Sequence, residues 1–299
     1  MSILSPFPAD EAEDPDGPAR RGAPRRAGSG FARFAAFVEA EIGVRLSEAK
    51  RTMVDGRLRR RMSQLGISDL DSYFRHLFED GALDEERTAI FDAVTTNKTD
   101  FFRESAHFDH LMDVAAPAAI ARRSGTGQPV KVWSAAASTG PEAWSIAMCL
   151  ASLADRDGAF NWAILATDIN TEVLAIARRA IYPESMLGPL RPEDRQRWLM
   201  QGHGDHRGSW RIVPELRRRV RFGQLNLMDL DFSIDTDIDV VFLRNVLIYF
   251  SAEDQTRLID HISCHLAVGG TLYLGHSESM VAHRSDLRQV GPATFVKAE

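Results

Sequence analysis

The sequence predicts an α/β fold: a parallel sheet covered on both faces, behind a small all-helical N-terminal domain and with a small β-subdomain inserted late. Three observations carry this. Apolar residues recur at helical spacing from Phe31 to about Ala93. Beyond them, short apolar runs alternate with helical patterns, the order that builds parallel strands joined by crossover helices. Between Trp198 and Phe222 the alternation breaks into a stretch with Gly202, Gly204, Gly208, Trp210, Ile212 and Val213. The 299 residues suffice for two domains, and 44% hydrophobic with 26% charged content is that of a soluble globular protein.

In chain order, residues 1–30 are rich in Pro, Gly, Ala, Arg and acids, with no large apolar residue after Phe7; they read as a disordered tail. Residues 31–94 form the helical domain. Phe31, Phe34, Phe37, Val38 and Ile42 line a first helix, and Val54, Leu58, Met62 and Leu65 a second running from about Ser47 to Leu65. Gly66 ends it, and Ser68 or Asp69 caps a third through Tyr73, Leu77 and Phe78. Residues 95–299 form the second domain. Strands are expected at 130–135, 162–167, 219–225, 238–243 and 270–275, with helices at 141–155, 171–179 and 254–267. Residues 198–222 form the insertion, and Gln289 to Lys297 returns as an antiparallel edge strand.

Several function classes are disfavoured. A net charge of −6 argues against nucleic-acid binding, and no His/Cys cluster with metal-ligand spacing appears. Both cysteines, Cys149 and Cys264, sit in apolar helical patterns and read as buried free thiols in a reducing compartment. The start lacks a basic-then-apolar leader, so a cytoplasmic location is expected. The longest apolar run, Ile238 to Phe250, contains Asp239, Arg244 and Asn245 and is short of the ~20 residues a membrane span needs.

The chemistry is expected at the strand ends. In VKVWSAAASTGPEAWSIAM (130–148) a strand runs into three alanines, Ser138-Thr139-Gly140 and then Pro141, which suits a first helical position. Small residues there let backbone approach a ligand. AILATD ends in Asp168, where this architecture places an acid on ribose hydroxyls; the alternative reading is that Asp168 merely caps the helix beginning near Thr171. Loop and acid fit a dinucleotide or S-adenosylmethionine alike. TTNKTDFFRE (95–104) sets Asn97, Thr99 and Arg103 beside two phenylalanines, and DVVFLRNVLIYF (239–250) places Arg244-Asn245 just past an apolar strand.

TTNKTDFFRE, SAAASTGPEAWSIAM, ATDIN followed by Ile181-Tyr182, FLRNVLIYF and LGHSES stand in that order at a familiar spacing. From about Phe31 to the C-terminus the chain resembles the chemotaxis receptor methyltransferase family (CheR), S-adenosylmethionine-dependent protein-glutamate O-methyltransferases. The resemblance implies a Rossmann-like methyltransferase domain with S-adenosylmethionine in the loop, S-adenosylhomocysteine as product and no metal. It puts cofactor contacts on Asn97, Thr99, Arg103 and Glu142, the ribose on Asp168, the adenine near Asn226 and Leu227, and the methionine part near Arg244 and Asn245. Two departures stand out: Pro141 replaces a usual first glutamate, and Ala143-Trp144 a usual Pro-Tyr. Glu142 keeps the second acid, so cofactor binding is expected to survive.

The implied reaction is an in-line displacement by a glutamate carboxylate. Charge is annihilated along the path, so a dry site should favour it. A carboxylate is ionised at neutral pH, so no general base is required. Arg103 and Tyr249 are the candidates to position that carboxylate; His276 reads as a structural hydrogen-bonding residue rather than a base. Lys50, Arg57, Arg60 and Arg61 share one side of the second helix, with Met53 between them. The resemblance makes this the contact for the helical cytoplasmic region of a chemoreceptor. Gly202, Gly204 and Gly208 look like the β-subdomain that grips a receptor's C-terminal peptide. A monomeric enzyme is expected. Two alternatives remain open: the same chemistry on a non-chemotaxis signalling receptor, and a catalytically silent cofactor-binding module.

Overall fold

The computed structural model describes residues 29–278 and 286–298. The expected tail therefore lies outside the described residues, except that Ser29 caps the first helix and Gly30 begins it.

The N-terminal part is helical throughout: α1 (Gly30–Ile42), a short 3-10 turn (Glu48–Lys50) leading into α2 (Arg51–Gln64), α3 (Leu70–Phe78) and α4 (Leu83–Val94). Its core is Phe31, Phe34, Val38, Val54, Leu58, Tyr73, Phe74 and Ile90, largely the periodic residues of the sequence. Asp69, not Ser68, caps α3, its carboxylate accepting the Ser72 N–H at 2.9 Å. Arg61 reaches across to buried Glu86, which Tyr73 also donates to. Gly43 closes α1 in the left-handed conformation, φ +70°, and a Cβ there would strike Phe250 at 2.7 Å. That turn lets the helical layer lie against the sheet domain.

A connecting segment leads to α5 (Ala106–His110), a π-helical turn (Leu111–Ala115) and α6 (Ala116–Arg123), which the sequence reading had not resolved. The sheet domain follows with β1 (Val130–Ala135), α7 (Pro141–Asp157), β2 (Trp162–Asp168), α8 (Thr171–Arg179), β3 (Ile181–Pro183), α9 (Pro192–Trp198), β4 (Leu199–Gln201), β5 (Ser209–Ile212), α10 (Pro214–Arg217) and β6 (Val220–Gln224). It ends with β7 (Ile238–Leu243), α11 (Ala252–His265), β8 (Leu266–Leu274), β9 (Leu287–Gly291) and β10 (Thr294–Lys297). The main sheet runs β6-β2-β1-β7-β8-β10-β9, parallel through β8 and antiparallel beyond. Strand order reverses at β1, so the switch-point crevice opens between the carboxyl ends of β1 and β7. Alternation decides the layers. Val130 and Val132 of β1, with Val240 and Phe242 of β7, face α5–α7, whereas Trp133, Ala135, Val241 and Leu243 face α11.

Three expectations change. The C-terminal return is a hairpin, with β10 against β8 and β9 on the outside; Gly291 and the Pro292-Ala293 turn break the single strand. The inserted sheet has a third member, β3, so it runs β3-β5-β4 and starts before residue 198; β6, at its other end, belongs to the main sheet. Cys149 is buried but Cys264 is exposed. It follows Ile262 by two helical positions, about 200° around α11, and so faces away from the sheet. Among the described residues no helix is long and apolar enough to cross a membrane.

Candidate active site

The opening loop is folded onto the end of β2. Ala136 and Ser138 adopt left-handed conformations, φ 64° and 52°, before Gly140 at φ +97°. Such backbone is costly for residues with a Cβ and persists where neighbours over-determine it. Here the Ala137 N–H donates to Thr167 O, the Ser138 N–H to Asp168 Oδ2 at 2.8 Å, and the Ser138 hydroxyl to Asn97 O at 2.8 Å. A Cβ on Gly140 would meet the Tyr182 hydroxyl at 2.9 Å and Ala177 and Trp144 at 3.0 Å. The alanines therefore hold a backbone wall close to a cavity, and Pro141 starts α7 directly behind it.

Asp168 is buried, and its other oxygen accepts the Asn170 N–H at 2.9 Å. Asn170, rather than Asp168, caps α8, accepting the Val173 N–H. Burial pushes the Asp168 carboxyl up, opposed by the backbone N–H donors. Asn170 also donates to Asp92 O and Thr95 Oγ1, while Asp92 accepts from the Thr171 N–H and hydroxyl. The end of α4 is thereby latched beside the acid.

At the other end of the crevice Arg244, just past β7, is buried between two acids. It lies 3.2 Å from Glu142 and 3.1 Å from Glu104, donates to Arg103 O, and faces the rings of Phe108 and Phe242. Glu142, in the first turn of α7, also accepts from the Ser134 hydroxyl at 2.7 Å. Burial raises the Glu142 carboxyl, with Arg244 and Ser134 pulling the other way. Burial acts on Glu104 in the same direction, but the Asn245 amide and the charge of Arg244 outweigh it and hold Glu104 below its ordinary value. Asn245, φ 59°, gives its N–H to Glu278 and its side-chain amide to Glu104. Glu278, buried, also accepts from the Gly275 and Ile248 N–H groups.

Ala136, Ser138, Glu142, Asp168, Arg244 and Asn245 line a cavity of about 290 Å³. It brings together all ten of the catalytic and cofactor-binding candidates: Asn97, Thr99, Arg103, Glu142, Asp168, Asn226, Leu227, Arg244, Asn245 and Tyr249. The cavity's apolar wall was not foreseen: Ile42, Val44, Leu46 and Met53 come from the helical domain and face Ile169, Leu225 and Phe250. Asn226 is shared, since its amide donates to Glu41 O at 2.8 Å. Glu104 and Glu278 were also missed, though each lies inside a motif already singled out, as the acid after Arg103 and the acid of LGHSES.

The other candidates fare differently. Arg57 donates to the carbonyls of Ala93, Val94 and Thr95, and Arg61 to Glu86, so both are engaged inside the helical domain. Lys50 lines the cavity and donates to Arg45 O. Arg60 is exposed, 3.9 Å from Glu172. Gly202, Gly204 and Gly208 form the turn joining β4 to β5; a Cβ on Gly202 would meet His206 O at 2.3 Å. His276 lies half exposed beside Glu104, edge-on to His107.

S-adenosylmethionine fits these walls. A heteroaromatic base suits the apolar end, a buried acceptor-only carboxylate suits ribose hydroxyls, and the Glu142–Arg244 end offers both signs of charge to an amino-acid group. Residues 97–296 match the family described as "CheR methyltransferase, SAM binding domain", and residues 29–95 match "CheR methyltransferase, all-alpha domain". "Chemotaxis protein methyltransferase 2" of Pseudomonas aeruginosa is 38% identical over 258 residues, 86% of this chain and 88% of that protein. "Chemotaxis protein methyltransferase" of Escherichia coli is 40% identical over 250 residues, 83% and 84% of the two chains. Its namesake in Borreliella burgdorferi is 32% identical over 269 residues, 89% and 93%. With both domains matched and the cofactor walls in place, the chain belongs to the CheR methyltransferase family and is an S-adenosylmethionine-dependent methyltransferase.

Proposed function

We propose that the protein transfers the methyl group of S-adenosylmethionine to glutamate side-chain carboxylates of chemoreceptors, forming methyl esters in chemotaxis. The observation that carries the reading is the cavity itself, in which the ribose acid Asp168 shares one space with Arg103 and Tyr249 and with the helical domain. When bound, S-adenosylmethionine supplies an electrophilic methyl on a sulfonium. Arg103 and Tyr249 orient the incoming carboxylate, by charge and by a phenolic hydrogen bond. The apolar wall of Ile42, Val44 and Leu46 keeps water from the reacting charges. Asn97 and Thr99 hold the cofactor beside the loop, and Asn226 and Leu227 flank its base.

The receptor's helical cytoplasmic region docks along α2, where Lys50 just before its start opens onto the cavity and Arg60, in its later half, stands free of the α4 contacts that engage Arg57 and Arg61. A receptor C-terminal peptide adds to an outer strand of the β3-β5-β4 sheet, with the turn of Gly202, Gly204 and Gly208 as its binding site. The enzyme works as a cytoplasmic monomer. Arg60→Glu should lower kcat/KM for receptor roughly tenfold at low salt and leave cofactor affinity unchanged, with the gap closing as salt screens it. An equal loss at all salt concentrations would remove Arg60 from the docking face.

The direct test incubates the protein with methyl-labelled S-adenosylmethionine and membranes carrying its host's chemoreceptors, and counts volatile label released by mild base. Base-labile label, absent with Asp168→Ala, is the expected result. Base-stable label would overturn the carboxylate assignment.

A further inference from the structure

Glu104, His107 and His276 form a cluster behind Arg244, and none of the three lines the cofactor cavity. Glu104 Oε2 lies 3.6 Å from His107 Nδ1 and 3.9 Å from His276 Nε2, and one ligand atom from each residue falls within 4.8 Å of the others. His107 Nδ1 is buried with no hydrogen-bond partner among the described residues, and the buried Glu104 Oε2 has no partner beyond its 3.1 Å ion pair with Arg244. The His107 ring is oriented from its other side, where Nε2 faces Pro292 O at 3.3 Å. That contact makes Nε2 the protonated nitrogen and leaves a lone pair on Nδ1, so two acceptors face each other with no donor between them.

We propose that these three side chains bind a divalent transition-metal ion of the zinc class. A glutamate with two neutral imidazoles is a known zinc donor set, and bonds of about 2.0–2.1 Å in a tetrahedron put ligand atoms about 3.3 Å apart. The two shorter separations, 3.6 and 3.9 Å, exceed that by about 0.3 and 0.6 Å. The third closes by a swing of His276, whose side chain is 53% exposed and gives the ion its route in. The Nε2–H to carbonyl contact of His107 is the outer hydrogen bond that metal-binding histidines characteristically make. The charge balance also admits a cation: Glu104 and Glu142 share one buried guanidinium, Arg244. The ligands come from the segment carrying Arg103, from α5 and from the turn after β8, so the ion would staple those three together.

The test is binding, independent of methyl transfer. The full chain is titrated calorimetrically with zinc chloride, its melting temperature is followed with and without zinc, and cobalt(II) replaces zinc for visible absorption. The expected result is one tight site, a rise in melting temperature and intense tetrahedral cobalt bands. His276→Ala, at an exposed position that should fold normally, should weaken the site at least tenfold and abolish the bands, while Cys264→Ser leaves both unchanged. A site unaffected by His276→Ala, one lost in Cys264→Ser, or the absence of saturable binding would each overturn the proposal; the last would leave a shared proton between Glu104 and His107.

Discussion

Arg244→Met should cost more stability than any other substitution at the site, about 3–5 kcal/mol, and abolish methyl transfer. The change removes the one cation held between Glu104 and Glu142 and leaves two carboxylates uncompensated. Its pH dependence identifies the cause. Glu104 titrates below its ordinary value of 4.5 in the folded protein, so its stabilising contribution is present above 4.5 and lost as pH falls through the lowered value. Glu142 titrates above its ordinary value, so at neutral pH its ionised form is a cost that Arg244 offsets. The gap between wild type and Arg244→Met should therefore be widest at neutral pH and narrow as acid neutralises the pair, measured by chemical denaturation from pH 4 to 8. Arg244→Lys keeps the charge without the planar fork, so it should recover much of the stability but little activity. A pH-independent gap would mean that Arg244 acts through packing on Phe108 and Phe242 instead.

Asp168→Ala should weaken S-adenosylmethionine binding by roughly 100-fold or more, because two backbone N–H groups lose a charged acceptor worth about 1.5–3 kcal/mol each. The loop loses its anchor along with the proposed ribose contact. Cofactor titration with the variant decides this, and an affinity within threefold of wild type would end the ribose assignment. Asp168→Asn separates charge from shape. The folded carboxyl titrates above its ordinary 3.8, so its contribution to stability is full below 3.8 and falls as pH rises through the raised value. The stability of Asp168→Asn relative to wild type should accordingly improve as pH rises across that window, even while cofactor binding is lost. Stability is being spent on an ionised acid that binding needs.

Much of the site was legible because each strand writes its own end. AILATD and FLRNV are apolar runs stopped by a polar residue, so Asp168, Arg244 and Asn245 announce themselves locally. Glu104 and Glu278 lacked that contrast: each sits among other polar residues, and its importance comes from partners 141 and 33 positions away, respectively. The basic face of α2 shows the opposite failure. Spacing puts Lys50, Arg57, Arg60 and Arg61 on one side, but it does not say what that side meets, and α4 occupies Arg57 and Arg61.

By itself the sequence determined the two-part architecture, the strands β1, β2, β6, β7 and β8 as members of a parallel sheet, and the residues that end those strands. Periodicity and strand-end polarity are local properties that each segment carries wherever it packs. Only the tertiary structure decided that the helical domain walls the cavity, that β3 joins the inserted sheet and β10 lies inside β9. It also decided that Cys264 faces outward and that Arg244 is shared between two acids. Each of these depends on which distant surface a segment meets, and that choice is made by burial and charge compensation between segments rather than within any one of them.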